Sequence, residues 1–306
     1  GWRRGWLVSA VMRILITIPH FFAARAEDAR HGSHRGSQRP LRAAALETAL
    51  VQLHTLFSRK RNYAVSHIGK CLEPVPSIGL DLDIVVVTVP DKHLLDDIQV
   101  PADMYRHHVA TDVEPLYLGF ECHRLLKEMR GQYDYYAYFE DDLVIHDAQF
   151  FDKLSLFNNA AKNPICLFQP QRYELSVGEP AEKKALANKV YNDYRGGNQT
   201  FDSAKLTVNI LGRSYTIERT TQPHAGCWFL NNEQLDRFVN SGKFGWCGEL
   251  LWGSPLDTAA TWGISHTFAV YKTALDSLDF FELQHACPII MKQVFPSDGP
   301  VPAWIW

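Results

Sequence analysis

Glu140, Asp141 and Asp142 stand side by side in YYAYFEDDLVIH (residues 135–146), with an apolar run on either side. Adjacent carboxylates repel one another, and a chain keeps them cheaply only where protons or a cation compensate. Carboxylate oxygens suit a hard divalent ion, Mn²⁺ or Mg²⁺. If the segment stays extended, residues 140 and 142 point to the same side. Glu140 and Asp142 would then serve one site, one on the metal and the other on the metal or a hydroxyl. An acidic surface turn ahead of a helix is the plainer alternative, but a strongly apolar strand leads straight into these acids. Further groups with chemistry to offer are Asp257 in SPLDTAATWGI (254–264), Glu249 in CGELLW (247–252), and the histidines His224, His266 and His285. Each has a bland reading as well. Asp257 would favour a helix dipole from the first turn, and a lone histidine among apolar residues is commonly packed. Trp228 could stack on a sugar face or belong to the core.

The elements that must position these groups alternate. RILITIP reads as a first buried strand and LDIVVVTVP (82–90) as another, ended by Pro90. RHHV (106–109), YDYYAYF (133–139) and PICLFQP (164–170) are further strands. Leucine and alanine at helical spacing predict a helix over 41–60, and others are expected over 117–131, stopped by Gly131, and over 148–162. AGCWFLNNEQLDRFVNSG (225–242) reads as strand then helix, and a last helix opens at Ser254 with Pro255 in its first position. Strands alternating with helices imply an α/β domain with a largely parallel sheet. Residues 171–222 are polar and read as an insertion of helix and hairpin. Arg25–Pro40 reads as a mobile loop that closes over a ligand. One catalytic domain is expected over 12–290, divided near 147, with 1–11 an extension and 291–306 a tail. Met12 reads as a natural start.

The chain has 306 residues and a formal net charge of −3, so it can bury a sizeable core and lacks the basic excess that non-specific nucleic-acid binding needs. Its six cysteines form no CxxC pair, which predicts reduced thiols in a cytoplasmic enzyme, although the even count leaves disulfides open. NQT at Asn198 fits a glycosylation sequon, a pattern short enough to arise by chance. Arg13 interrupts the first apolar stretch, and no segment is long and apolar enough to predict a transmembrane span.

An acidic triplet after a strand, preceded by a helix carrying GFECHRLLKEM, resembles the DxD-type motif of nucleotide-sugar-dependent glycosyltransferases of the GT-A fold. RILITIP resembles their first strand, AGCWFLNNEQLDRF the strand and helix lining the acceptor side, and SPLDTAATWGI the helix that begins with their catalytic acid. The resemblance spans about residues 12–290. Two departures stand out: the motif begins with Glu, and PLD replaces a Glu-Asp pair.

The resemblance implies a GT-A-like sheet with the insertion on the acceptor side, and transfer of a sugar from a nucleotide-sugar donor to a carbohydrate or other hydroxyl acceptor. It implies Asp142 as the main metal ligand, with Glu140 and a late histidine, His285, beside it. Thr17, Pro19, Arg124, Glu140 and Asp141 would meet the nucleotide, and Asp257, before Glu249, would be the catalytic carboxylate. A sugar nucleotidylyltransferase is the near alternative, but the loop after the first strand lacks its glycines. A non-catalytic carbohydrate- or protein-binding module is the distant one. A phosphatase with an Asp nucleophile would want its acid where Pro19 and His20 stand.

Overall fold

The computed structural model describes residues 11–24, 35–58, 62–75, 80–175, 188–194, 205–210, 212–247 and 254–288. Five strands form the central sheet: β1 (Met12–Pro19), β2 (Leu80–Thr88), β3 (Arg106–Val109), β4 (Tyr135–Phe139) and β5 (Cys227–Asn231). Their order is β3-β2-β1-β4-β5, parallel except for β5, which runs antiparallel to β4. The chain builds β1, β2 and β3 to one side and then returns to place β4 on the other side of β1. Such a reversal opens a crevice beyond the carboxyl ends of the two strands, where open α/β sheets bind ligands.

The near-continuous apolar runs in β1 and β4 follow from burial on both faces. Ile14, Ile16 and Ile18 pack on the side of helix α1 (Arg39–Phe57), with Leu46, Leu50 and Leu53. Leu15 faces the other way, toward helix α2 (Leu118–Glu128) and its Leu118, Cys122 and Leu126. Helix α3 (Phe150–Ala161) adds Phe150, Phe151 and Leu154 to the first core, and helix α4 (Asn232–Val239) adds Leu235 and Phe238 to the second. Trp228 is fully buried and stacks on Tyr138 at 5.9 Å, so it is core and not a sugar platform.

A last helix, α5, covers residues 255–265. Ser254 and Asp257 form a reciprocal capping box, and Thr258–Trp262 is π-helical. Two smaller sheets flank the crevice. One runs Lys189–Tyr191, Gln171–Leu175, Glu282–His285, Leu143–Val144; the other runs Lys205–Ile210, Arg213–Arg219, Ala269–Thr273, Cys166–Phe168.

The predicted strands and helices outside 171–222 recur with boundaries moved by a few residues; within 171–222 the described residues form strands, including the hairpin of Lys205–Ile210 with Arg213–Arg219. Pro40 belongs to the first turn of α1 and not to a loop, and residues 25–34 of the expected lid lie outside the described residues. Asn198 lies outside them too. All six cysteines are free thiols. Among the described residues, no helix is long and apolar enough to cross a membrane.

Candidate functional site

The carboxyl ends of β1 and β4 open into a cavity of about 320 Å³. Its lining includes Pro19, Phe21, Arg42, Glu140, Asp141, Asp142, Arg172, His224, Ser254, Asp257 and His285. The chain does not stay extended after β4. It turns at Asp141–Asp142, and the Leu143 amide donates to the Glu140 carbonyl at 3.3 Å. The turn brings all three carboxylates to the cavity, where the strand geometry expected from sequence would have alternated them.

Asp141 is held from two sides. His20, directly after β1 and fully buried, presents Nδ1 to Asp141 Oδ2 at 2.5 Å. The Leu94 amide donates to His20 Nε2 at 2.9 Å, so the ring proton sits on Nδ1 and is donated to the carboxylate. Arg42 of α1 donates through Nη2 to both Asp141 oxygens, at 2.6 and 2.7 Å, and through Nη1 to Asp142 Oδ2 at 2.7 Å. Burial pushes the Asp141 carboxyl up, but Arg42 and His20 outweigh it and hold it below the usual range.

Pairing of Gln284 with Val144 and of His285 with Leu143 brings His285 beside the turn, and the Ala286 amide donates to the Asp142 carbonyl at 2.8 Å. His285 faces carboxylates with both nitrogens: Glu174 Oε1 lies 2.8 Å from Nδ1 and Asp142 Oδ2 3.3 Å from Nε2. Burial works against its protonation, yet Asp142 and Glu174 win and lift it to about 9. Burial likewise raises the Asp142 carboxyl, and His285, Arg42 and Arg172 together drive it well below the ordinary range.

Glu140 behaves in the opposite way. Burial lifts it to about 8, with Arg172 opposing and Asp142 and Asp257 adding to the rise. Its proton is held well above the usual carboxylate range. Its neighbour Gly226 has φ +66°, a conformation that favours glycine, and a Cβ there would press on the tip of the Glu140 side chain. Arg172 approaches Glu140 Oε2 at 3.8 Å while donating to Asp193 through Nε at 2.8 Å and Nη2 at 3.4 Å.

On the far rim, Asp257 uses Oδ2 to accept from the Ser254 amide and hydroxyl, at 3.1 and 2.8 Å. His224 shares a hydrogen bond with Thr261 Oγ1 at 2.6 Å, and burial pushes it down to about 4, leaving it neutral.

The cavity thus gathers Pro19, Glu140, Asp141, Asp142, His285, His224 and Asp257 from the sequence-predicted set. It does not gather the rest. Thr17 is buried between strands and donates to the Ala137 carbonyl at 3.0 Å. Arg124 lies on the surface of α2, outside the cavity lining, paired with Glu121 and Glu128 of its own helix. His266 stacks on Trp262 at 4.2 Å. Glu249 lies outside the described residues.

Sequence reasoning missed His20, Arg42, Arg172, Glu174 and Asp193. A signal existed for three of them. Arg42 sits three and four residues before Ala45 and Leu46, on the buried stripe of α1. Arg172 and Glu174 are an i, i+2 pair of opposite charge on one face of a strand.

The divalent ion implied on Asp142, Glu140 and His285 does not fit these side chains as they stand. Arg42 already bonds both oxygens of Asp141 and one of Asp142. His285 has a carboxylate at each ring nitrogen, Glu174 at 2.8 Å from Nδ1 and Asp142 at 3.3 Å from Nε2. Among the described residues, no group of three His, Cys, Asp or Glu side chains is placed to hold a metal ion.

No family model and no curated protein matches the chain. Among solved structures, S. aureus TarS is similar at 9% identity and a TM-score of 0.44, over 95% of this chain and 41% of its own. A structure of TarS 1–349 is similar at 10% and 0.43, over 95% and 67%. A UTP-bound UGPase from Acinetobacter baumannii is similar at 11% and 0.42, over 92% and 91%. The chain therefore spans less than half of the TarS chain. Likenesses this distant carry no functional argument, and the chemistry of the cavity has to stand on its own.

Proposed function

We propose that the chain is an enzyme that moves a sugar from a nucleotide-sugar donor to a hydroxyl acceptor in this cavity. The observation that carries the reading is the meeting of the acidic turn, two arginines and Asp257 in one cavity at the reversal point of a parallel sheet. In the transfer, the acceptor oxygen bonds to the anomeric carbon and the bond from that carbon to the diphosphate breaks. The diphosphate leaves with the electron pair, and the hydroxyl proton goes to a carboxylate. Asp257 takes that role: it lies on the far rim, and the capping box holds its carboxylate at the mouth of α5. Arg42 and Arg172 supply positive charge for the leaving group.

The test is a panel of nucleotide sugars, assayed for release of nucleoside diphosphate with and without sugar acceptors. Asp257→Asn should cut transfer by about 10²–10⁴-fold while donor affinity holds. Full transfer by a folded Asp257→Asn enzyme would move the role to another group, with Glu249→Gln the next variant to assay. Failure of every nucleotide sugar to bind or react would remove the reading.

A further inference from the structure

We propose that Arg42, with Arg172 of the same cavity, is the cation that receives the donor's diphosphate, so that donor binding here needs no divalent metal; this rests on the reading of the cavity as a donor site. The basic side chains of the cavity are held in two ways. Arg172 is gripped by Asp193, and His285 by Glu174. Neither Asp193 nor Glu174 lines the cavity, whereas Arg172 and His285 do. Each carboxylate thus holds its cation in place from outside the lining.

Arg42 is mounted differently. Asp141 and Asp142 fix its guanidinium at both terminal nitrogens, and its side chain is only 10% exposed. Its Nε is buried and has no hydrogen-bond partner among the described residues. A buried donor without an acceptor calls for an explanation, and a ligand oxygen is one. The unpartnered Nε of Arg42 and the guanidinium of Arg172 line one cavity and offer charged N–H donors of the kind phosphate oxygens accept. On this account Asp141 and Asp142 are not metal ligands. They are positioning residues that set the plane of Arg42, and His20 in turn sets Asp141.

Calorimetric titration with UDP, GDP, CDP, ADP and dTDP, each in EDTA and in excess Mn²⁺, tests this on the full chain. The nucleotide that binds should do so in EDTA within about threefold of its affinity in Mn²⁺, because no metal bridges it. Arg42→Lys keeps the charge but loses the planar fork, and should weaken that binding about tenfold or more. Arg42→Met frees Asp141 and Asp142. If it folds by thermal melting, it should gain Mn²⁺ binding in a direct spectroscopic titration that the unmodified protein lacks.

A nucleotide that binds only with Mn²⁺ would overturn the proposal and leave the donor site standing. So would unchanged affinity in Arg42→Lys. If no nucleoside diphosphate binds under either condition, the donor-site reading falls and takes the proposal with it.

Discussion

Two arginines make the same kind of contact in two regions of this molecule. Arg124, on the surface of α2, donates to Glu121 three residues before it and to Glu128 four residues after it, and its side chain is 46% exposed. Arg42, at the cavity, donates to Asp141 and Asp142, 99 and 100 residues away, and its side chain is 10% exposed. The first pair ties a helix to itself in water, where Coulomb attraction is weak and holding long side chains costs entropy. The second ties α1 to the turn after β4 in a region from which water is largely removed. There the carboxylates cannot fall back on solvent. The lesson is that identical donors and acceptors become structural or ornamental according to what surrounds them and which segments they join.

The largest expected effect is on the buried side. Arg42→Met should lower unfolding free energy in urea by about 3–5 kcal/mol, because it leaves two buried carboxylates without their cation. Adding Asp141→Asn and Asp142→Asn should recover a substantial part of that loss. A cost for the single variant as small as that of a surface pair would erase the contrast.

The next effect concerns the sign of titration. Glu140 is raised from its ordinary 4.5 to about 8, and His285 from 6.5 to about 9. Both bind a proton more tightly folded than unfolded. Their stabilisation is complete below the unfolded values and is lost as pH rises through about 8 and 9. At the α2 surface, Glu121 is lowered, chiefly by its hydrogen bond from Arg124, so its contribution is present above its unfolded value and lost on the acid side. Glu140→Gln should therefore gain on the unmodified protein as pH climbs from 5 toward 9, in melting profiles run side by side. Parallel profiles would contradict the raised Glu140 carboxyl. The smallest effect is Arg124→Ala, expected to cost less than about 0.5 kcal/mol in the same urea assay.

Much of the scaffold was legible. The apolar runs of β1, β2 and β4 announce strands buried on both faces, and Ser254, Pro255 and Asp257 announce a helix start that the capping box then makes. The acidic triplet stood out because charge after such a strand needs compensation, and His285 and Asp257 do line the cavity with it. What supplied the compensation was not legible. Sequence pointed to a divalent ion as the compensation, offered Arg124 as a nucleotide contact, and passed over Arg42. Residues 171–222 were read as a polar insertion, yet Gln171–Leu175 carries Arg172 and Glu174 into the site.

By itself, then, the sequence determined the local quantities: periodicity, strand and helix starts, the acidic turn and the absence of any CxxC pair. These depend on neighbours within a few residues, where side-chain geometry and propensity act directly. Only the tertiary structure decided which cations meet the acids, that Trp228 is core, and that the Glu140 carboxyl is raised by burial with Asp142 and Asp257 adding to the rise. Those outcomes depend on desolvation and on charges brought together by strand order and register from distant positions, 100 residues apart for Arg42 and Asp142. No window along the chain contains both partners of such a pair.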